Sequence, residues 1–188
     1  MTEIIDVEAV EDGAGRALVN YVPQIRRTPA QVKADIEAVE DLMKAHMREG
    51  IDYGRIPNTP KDTLYKAGAE RLARFFGLGA VVEPVRCVED WGTPFVLYVY
   101  RVGIGPITEN GVVPIAWCEG SANSKERKFA KVAAYDVANT LAKMAQKRAY
   151  VGAVLMATNT SDFFTQDLED LPRDFVQSNE ATPAPKPV

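Results

Sequence analysis

Residues 135–158 read YDVANTLAKMAQKRAYVGAVLMAT, and their spacing decides the outline of the fold. Val137, Leu141, Met144, Val151 and Leu155 recur at the intervals of an amphipathic helix, so a long helix with one face on a core is expected. Arg148 falls inside that apolar stripe. A guanidinium is rarely buried without a partner. Two readings follow: Arg148 pairs with a carboxylate inside the fold, or the stripe ends at a groove where the guanidinium meets an anion such as a phosphate. Lys147 lies one turn from Lys143 on the opposite, solvent-facing side. Asp136 is a candidate N-cap, and Asn159 can take the left-handed position after the helix.

Upstream of this helix the period is extended. Ala80 to Val88 and Phe95 to Ile104 are rich in β-branched and aromatic residues, and Asp90-Trp91-Gly92 between them is a turn signal. Asn110-Gly111 is a strong hairpin signal and leads into a third strand over Val112–Cys118. The expected class is α+β: an antiparallel three-stranded meander packed against a long C-terminal helix, a β-β-β-α order. A polar, basic connector, Gly120 to Lys131, joins the third strand to the helix.

Two helices are expected before the strands. The first runs from Ala30 to Glu49, with Val32, Ile36, Val39, Met43 and Met47 on one stripe and Gly50 as its stop. His46 borders the stripe and reads as a core-edge residue, not a ligand or base. The loop IDYGRIPNTPKD offers Asp62 or Thr63 as cap for the second helix, LYKAGAERLARFFGLG, which turns Leu64, Leu72, Phe75 and Phe76 inward and Arg71 and Arg74 outward. Beyond Asn159, Ser161 is expected to open a short helix through SDFFTQDLEDL. The domain limits read as an acidic, irregular segment over 1–27, one α+β domain over 28–171, and a disordered, proline-containing tail over 172–188.

Composition narrows the class. The chain has 188 residues, 46% hydrophobic, enough for a sizeable core. No uninterrupted apolar run is long enough for a membrane helix, so no membrane partner is expected. The acidic start MTEIIDVEAVED lacks the basic and apolar regions of a secretory signal. Two cysteines, Cys87 and Cys118, and one histidine support neither a disulfide framework nor a zinc site. A reducing cytoplasm is therefore the expected location.

The net charge of −4 is unevenly spread. Residues 1–12 hold five acids and no base, and residues 162–188 hold six acids against Arg173 and Lys186. Between Gly120 and Val151 the sign reverses: Lys125, Arg127, Lys128, Lys131, Lys143, Lys147 and Arg148 face only Glu126 and Asp136. Such a local surplus is the footprint of a polyanion site, although each charge taken singly is also an ordinary surface charge.

The order of elements, with the fragments DYGRIP, LYKAGAERLARFFGL and NTLAKMAQKRA, resembles the phage-type single-strand annealing protein superfamily, which includes the eukaryotic annealing rings and the Erf and Sak recombinase groups. The resemblance covers about Asp52 to Leu171. It implies ATP-independent binding and annealing of single-stranded DNA in recombination of a phage or bacterial mobile element, in the cytoplasm of a bacterial host. It also implies a homo-oligomeric ring or filament, no cofactor, and as further partners an exonuclease or a host single-strand binding protein. Carried onto this sequence it marks Lys147 and Arg148, with Lys143 beside them, as phosphate contacts; Lys125, Arg127 and Lys128 would line the same groove, with Arg101 a further candidate. Tyr98, Tyr100 and Trp117 are candidates for base stacking, or else core.

Two other classes compete. Asp162, Asp167, Glu169 and Asp170 could hold Mg²⁺ for phosphodiester cleavage, although a solvated acidic run explains them as well. FFTQDLEDL could dock a replication factor, making the chain an interaction module. No GxxxxGK[ST], GxSxG or HExxH motif supports an enzyme.

Overall fold

The computed structural model describes residues 9–11, 17–19, 27–55, 61–129 and 131–165; for 9–11, 17–19 and 165 only the backbone course is described. The class is α+β. The chain divides between Ala45 and His46 into two compact units. In the first, β1 (Ala9–Glu11) and β2 (Ala17–Val19) pair antiparallel within the segment expected to be irregular. Helix α1 covers Pro29–His46 and starts in a capping box: the Thr28 amide donates to the Gln31 side chain at 2.8 Å, and the Gln31 amide donates to the Thr28 hydroxyl at 3.3 Å. Val32 and Ile36 of its expected inner stripe are about half exposed, and His46 at its end is exposed, not a core-edge residue.

The helix stops three residues short of Glu49 because the Arg48 amide donates to the Asp52 carboxylate, and Gly50 then reverses the chain at φ +79°. A small sheet follows. Strand β3 (Tyr53–Gly54) runs antiparallel to β4 (Asp62–Leu64), so Asp62 and Thr63 are strand residues and not helix caps. Helix α2 covers Lys66–Phe75, buries Gly68, Ala69, Leu72 and Ala73, and leaves Phe75 and Phe76, expected inside, exposed.

The main sheet is the expected meander. Strand β5 (Leu78–Asp90) pairs antiparallel with β6 (Phe95–Thr108). The turn between them is fixed by the Asp90 carboxylate, which accepts the amides of Gly92 and Thr93 at 2.9 and 3.0 Å. Register slips between Pro84 and Arg86, where proline has no amide to give; β5 tolerates this as an edge strand. The Asn110-Gly111 hairpin forms, returning as β7 (Gly111–Val112) against Ile107 and Thr108. The single third strand expected over Val112–Cys118 is instead two pieces. Pro114 interrupts the ladder, and β8 (Ala116–Asn123) resumes pairing with β6, running past Gly120 into the stretch expected to be connector.

Helix α3 spans Ala134–Thr158 and packs over β6 and β8. Its N-cap is Ala133, with Asp136 in the first turn, and Asn159 ends it at φ +53° as expected. Val96, Tyr98 and Ala122 of the sheet pack with Ala134, Val137, Leu141 and Ala145 of the helix. Burying Val137 and Leu141 contributes roughly 1.5–3 kcal/mol each. The inner stripe is rotated from the expected one: Met144 and Val151 are only partly buried, while Ala145 and Ala149 are fully so. Gly120 is the reason. A Cβ there would lie 2.4 Å from the Ala145 carbonyl oxygen and 2.4 Å from the Ala149 amide, so the helix backbone rests directly on the strand.

After α3 the chain turns at Ser161–Phe163 and forms β9 (Phe164–Thr165), parallel to β4, where a helix was expected. Phe164 is 1% exposed, its ring centroid 6.1 Å from that of Tyr53, and this burial explains the strand. The rest of FFTQDLEDL and the 172–188 tail lie outside the described residues. Among the described residues no helix is long and apolar enough to cross a membrane.

Candidate nucleic-acid interface

The basic stretch begins where β8 leaves the sheet. Its exit is held to β6 by Ser124, whose hydroxyl accepts the Val96 amide at 3.0 Å and whose amide donates to the Val96 carbonyl at 2.9 Å. Asn123 then turns the chain: its side-chain oxygen accepts the Lys125 amide at 2.9 Å, and its own amide donates to the Glu126 carboxylate at 3.0 Å. A 3-10 turn, Arg127–Phe129, carries the chain toward α3. These local bonds put Glu126 under the flank of α3.

Arg148 reaches it there. Its Nη1 and Nη2 donate to the two Glu126 carboxylate oxygens at 2.9 and 3.0 Å, and Nη1 also donates to the Ser121 carbonyl. Side-chain exposure is 13% for Arg148 and 20% for Glu126, so the pair is largely out of water. Lys128 Nζ stands 3.5 Å from the same carboxylate. Burial works to raise the Glu126 pKa. The Arg148 hydrogen bonds, the Asn123 amide and the charges of Arg148 and Lys128 outweigh it and hold the carboxyl below its ordinary value. The guanidinium in the apolar stripe thus has its carboxylate, the first of the two readings of Arg148.

The other sequence-derived residues fall into three places. Lys125, Arg127 and Lys128 join Arg148 around the connector. Lys125 Nζ lies 5.3 Å from the Phe95 ring centroid, and Lys128 Nζ lies 5.5 Å from that of Phe129. Lys143 and Lys147 lie on the side of α3 turned away from Ala145, Lys143 exposed and Lys147 half-buried. Arg101 is apart from both groups. It alternates with Tyr100 and Val102 onto the sheet face opposite α3, where it pairs with Glu83 at 2.6 Å and stands 4.8 Å over the Trp117 ring. Of the stacking candidates, Tyr98 is buried and donates its hydroxyl to Glu89, whereas Trp117 is partly exposed beside Arg101.

Sequence reasoning missed two anchoring carboxylates, Glu126 and Asp52. Glu126 is the lone acid in the run 125–131, a visible signal, but its pairing with Arg148 spans 22 residues and no local period reveals it. Asp52 is fully buried. Its carboxylate accepts Arg71 Nε at 2.8 Å and the Arg48 amide at 2.9 Å, and its carbonyl accepts the Tyr65 amide at 3.0 Å. Burial works to raise its pKa as well, and the hydrogen bonds from Arg71 and Arg48 together with their charges outweigh it, leaving it lowered.

Asp162, a residue of the competing metal reading, has a fully exposed side chain 3.9 Å from Lys61, while Asp167, Glu169 and Asp170 lie outside the described residues. Among the described residues no group of three or more histidine, cysteine, aspartate or glutamate side chains could hold a metal ion. No protein-family model and no curated protein matches this chain.

Proposed function

We propose that the protein binds single-stranded DNA through its phosphates and promotes annealing without ATP, working as a homo-oligomer. One observation carries this reading: the basic surplus lies along the connector after β8 and the outer side of α3, within one β-β-β-α unit. Lysines and arginines so arranged contact phosphates without reading bases, which leaves pairing edges free for a complementary strand. Lys125, Arg127, Lys128, Lys143 and Lys147 are the contacts of this reading. Arg148, held by Glu126, fixes the connector against α3. Arg101 and Trp117, on the opposite sheet face, are a separate cation and ring that a base could stack upon. The meander leaves its β5 and β8 edges without a strand partner among the described residues, and extension of one subunit's sheet by the next would cover them. Recombination in a phage or bacterial mobile element, with an exonuclease or host single-strand binding protein as partner, is the setting that suits this activity.

The test is annealing of complementary oligonucleotides by purified protein, with and without ATP, beside electron microscopy of the protein alone and with DNA. ATP-independent annealing by a ring or filament supports the reading. A monomer that neither binds nor anneals removes it.

A further inference from the structure

The loop before β3 and the adjoining face of α2 form a second cationic site, distant in sequence from the connector. Its foundation is Asp52, an aspartate with no accessible surface. An ionised carboxylate in that position must be matched by donors. It is fixed on every side: the amide donates to the Arg48 carbonyl at 2.9 Å, the carbonyl accepts the Tyr65 amide, and the carboxylate takes Arg71 Nε and the Arg48 amide. Helix α2 is pressed against this loop through Gly68, where a Cβ would lie 2.1 Å from the Asp52 carbonyl oxygen. The aspartate is therefore a rigid post rather than a surface charge.

Two guanidiniums stand on that one carboxylate. Arg71 is held by its Nε edge, and 43% of its side chain remains in solvent. Arg48 has its Nε 4.0 Å from the other carboxylate oxygen, and 63% of its side chain is in solvent. Among the described residues neither donates its terminal nitrogens to any other acceptor. Arg74 follows Arg71 on the same flank of α2 at the i, i+3 spacing and is also exposed. One buried negative charge thus hydrogen-bonds the Arg71 guanidinium and stands 4.0 Å from that of Arg48, with both side chains partly in solvent. This is the donor set that binds the oxygens of a phosphate group, and the Arg71 fork, fixed in advance, loses little conformational freedom on binding.

We propose that Arg71, oriented by Asp52, with Arg48 drawn to the same carboxylate and Arg74 beside them, forms a phosphate-binding site that takes the backbone of a nucleic acid. The proposal rests on the DNA-binding reading for the source of the phosphate, while the site itself rests on the Asp52 geometry. It adds a contact on the α2 side of the molecule, so a bound strand is held at two places instead of one. Asp52 is a positioning residue; the arginines are the contacts.

Two measurements on the full chain test it. In the first, melting temperature is followed with inorganic phosphate against chloride at matched ionic strength for wild type, Arg48→Gln and Arg71→Gln. Non-specific salt stabilisation acts on all three alike. A site binding the folded state adds a saturable rise in wild type that both variants lack; equal rises in all three overturn the site. In the second, affinity for fluorescent oligo-dT is measured against salt. Arg48→Gln, whose side chain is mostly exposed, should keep the wild-type melting temperature in chloride, weaken binding several-fold and lower the salt slope by about 0.7, the share of one single-strand phosphate contact. Unchanged affinity and slope, with the phosphate effect intact, would assign the site to free phosphate and overturn its part in DNA binding. If wild-type protein binds no oligonucleotide at all, the proposed function falls, and the phosphate measurement still decides the site.

Discussion

Replacing Arg148 by methionine keeps much of the side chain's length and removes its charge. Glu126 is then left 20% exposed with the Asn123 amide and Lys128 as its remaining polar neighbours, and the Ser121 carbonyl loses a donor. Breaking a fully buried ion pair costs about 3–5 kcal/mol. Here residual exposure and Lys128 at 3.5 Å soften the loss. The expected destabilisation is about 2–3 kcal/mol, or roughly 5–10 °C of melting temperature for a unit of this size. Glu126→Gln should cost a comparable amount, and the double variant less than the sum of the two, with a coupling of at least about 1 kcal/mol. Circular dichroism melts and urea titrations of the four proteins give these numbers. If Arg148→Met melts with wild type, or the two losses simply add, the pairing does not hold the connector against α3. Lys147→Ala, on the outer side of the helix, should cost far less melting temperature than Arg148→Met and weaken oligonucleotide binding.

Three more outcomes follow from the same geometry. Because the folded pKa of Glu126 lies below its ordinary value of 4.5, that of Asp52 below 3.8, and each is held down by its arginine, the stability they contribute is complete above those values and is lost as pH falls through the depressed ones; urea titrations from neutral to acid pH should show the loss in wild type and a smaller one in Arg148→Met. Gly120→Ala drives a Cβ into the α3 backbone and should cost about 1–3 kcal/mol or more, whereas Gly92→Ala, whose Cβ would meet only the Asp90 carboxylate at 3.5 Å, should cost far less on chemical denaturation. The Tyr98 hydroxyl is pushed up to about 12 by its hydrogen bond to Glu89 and by burial, and burial raises Tyr150 as well, so an ultraviolet titration should show a late-ionising component, and Glu89→Gln should bring the Tyr98 part of it down.

The elements with strong local periods were legible in the sequence: two long strands joined at Asp90, the Asn110-Gly111 hairpin, and a helix ending at Asn159. What was not legible depended on contacts far apart in the chain. Phe164 leaves the expected helix for a strand because it is buried beside Tyr53, more than a hundred residues earlier. The α3 face turns toward Ala145 and Ala149 because a glycine on β8 admits the helix backbone, which the helix's own apolar pattern does not encode. Arg148 was visible as an anomaly, since an arginine among leucines and valines has to be answered by something. Only the three-dimensional placement of Glu126 names the answer. Asp52 gave no such warning, being one acid in a turn-rich loop.

The most direct test of the account is the affinity of the purified protein for oligo-dT as a function of salt, compared with a variant in which Lys125, Lys128, Lys143 and Lys147 are all glutamine. The account predicts tight binding at low salt that falls steeply as salt rises, with a slope of about 0.7 for each phosphate neutralised, and a folded variant whose affinity and slope are both clearly reduced. Binding that ignores salt, or a variant that binds as wild type does, would contradict it.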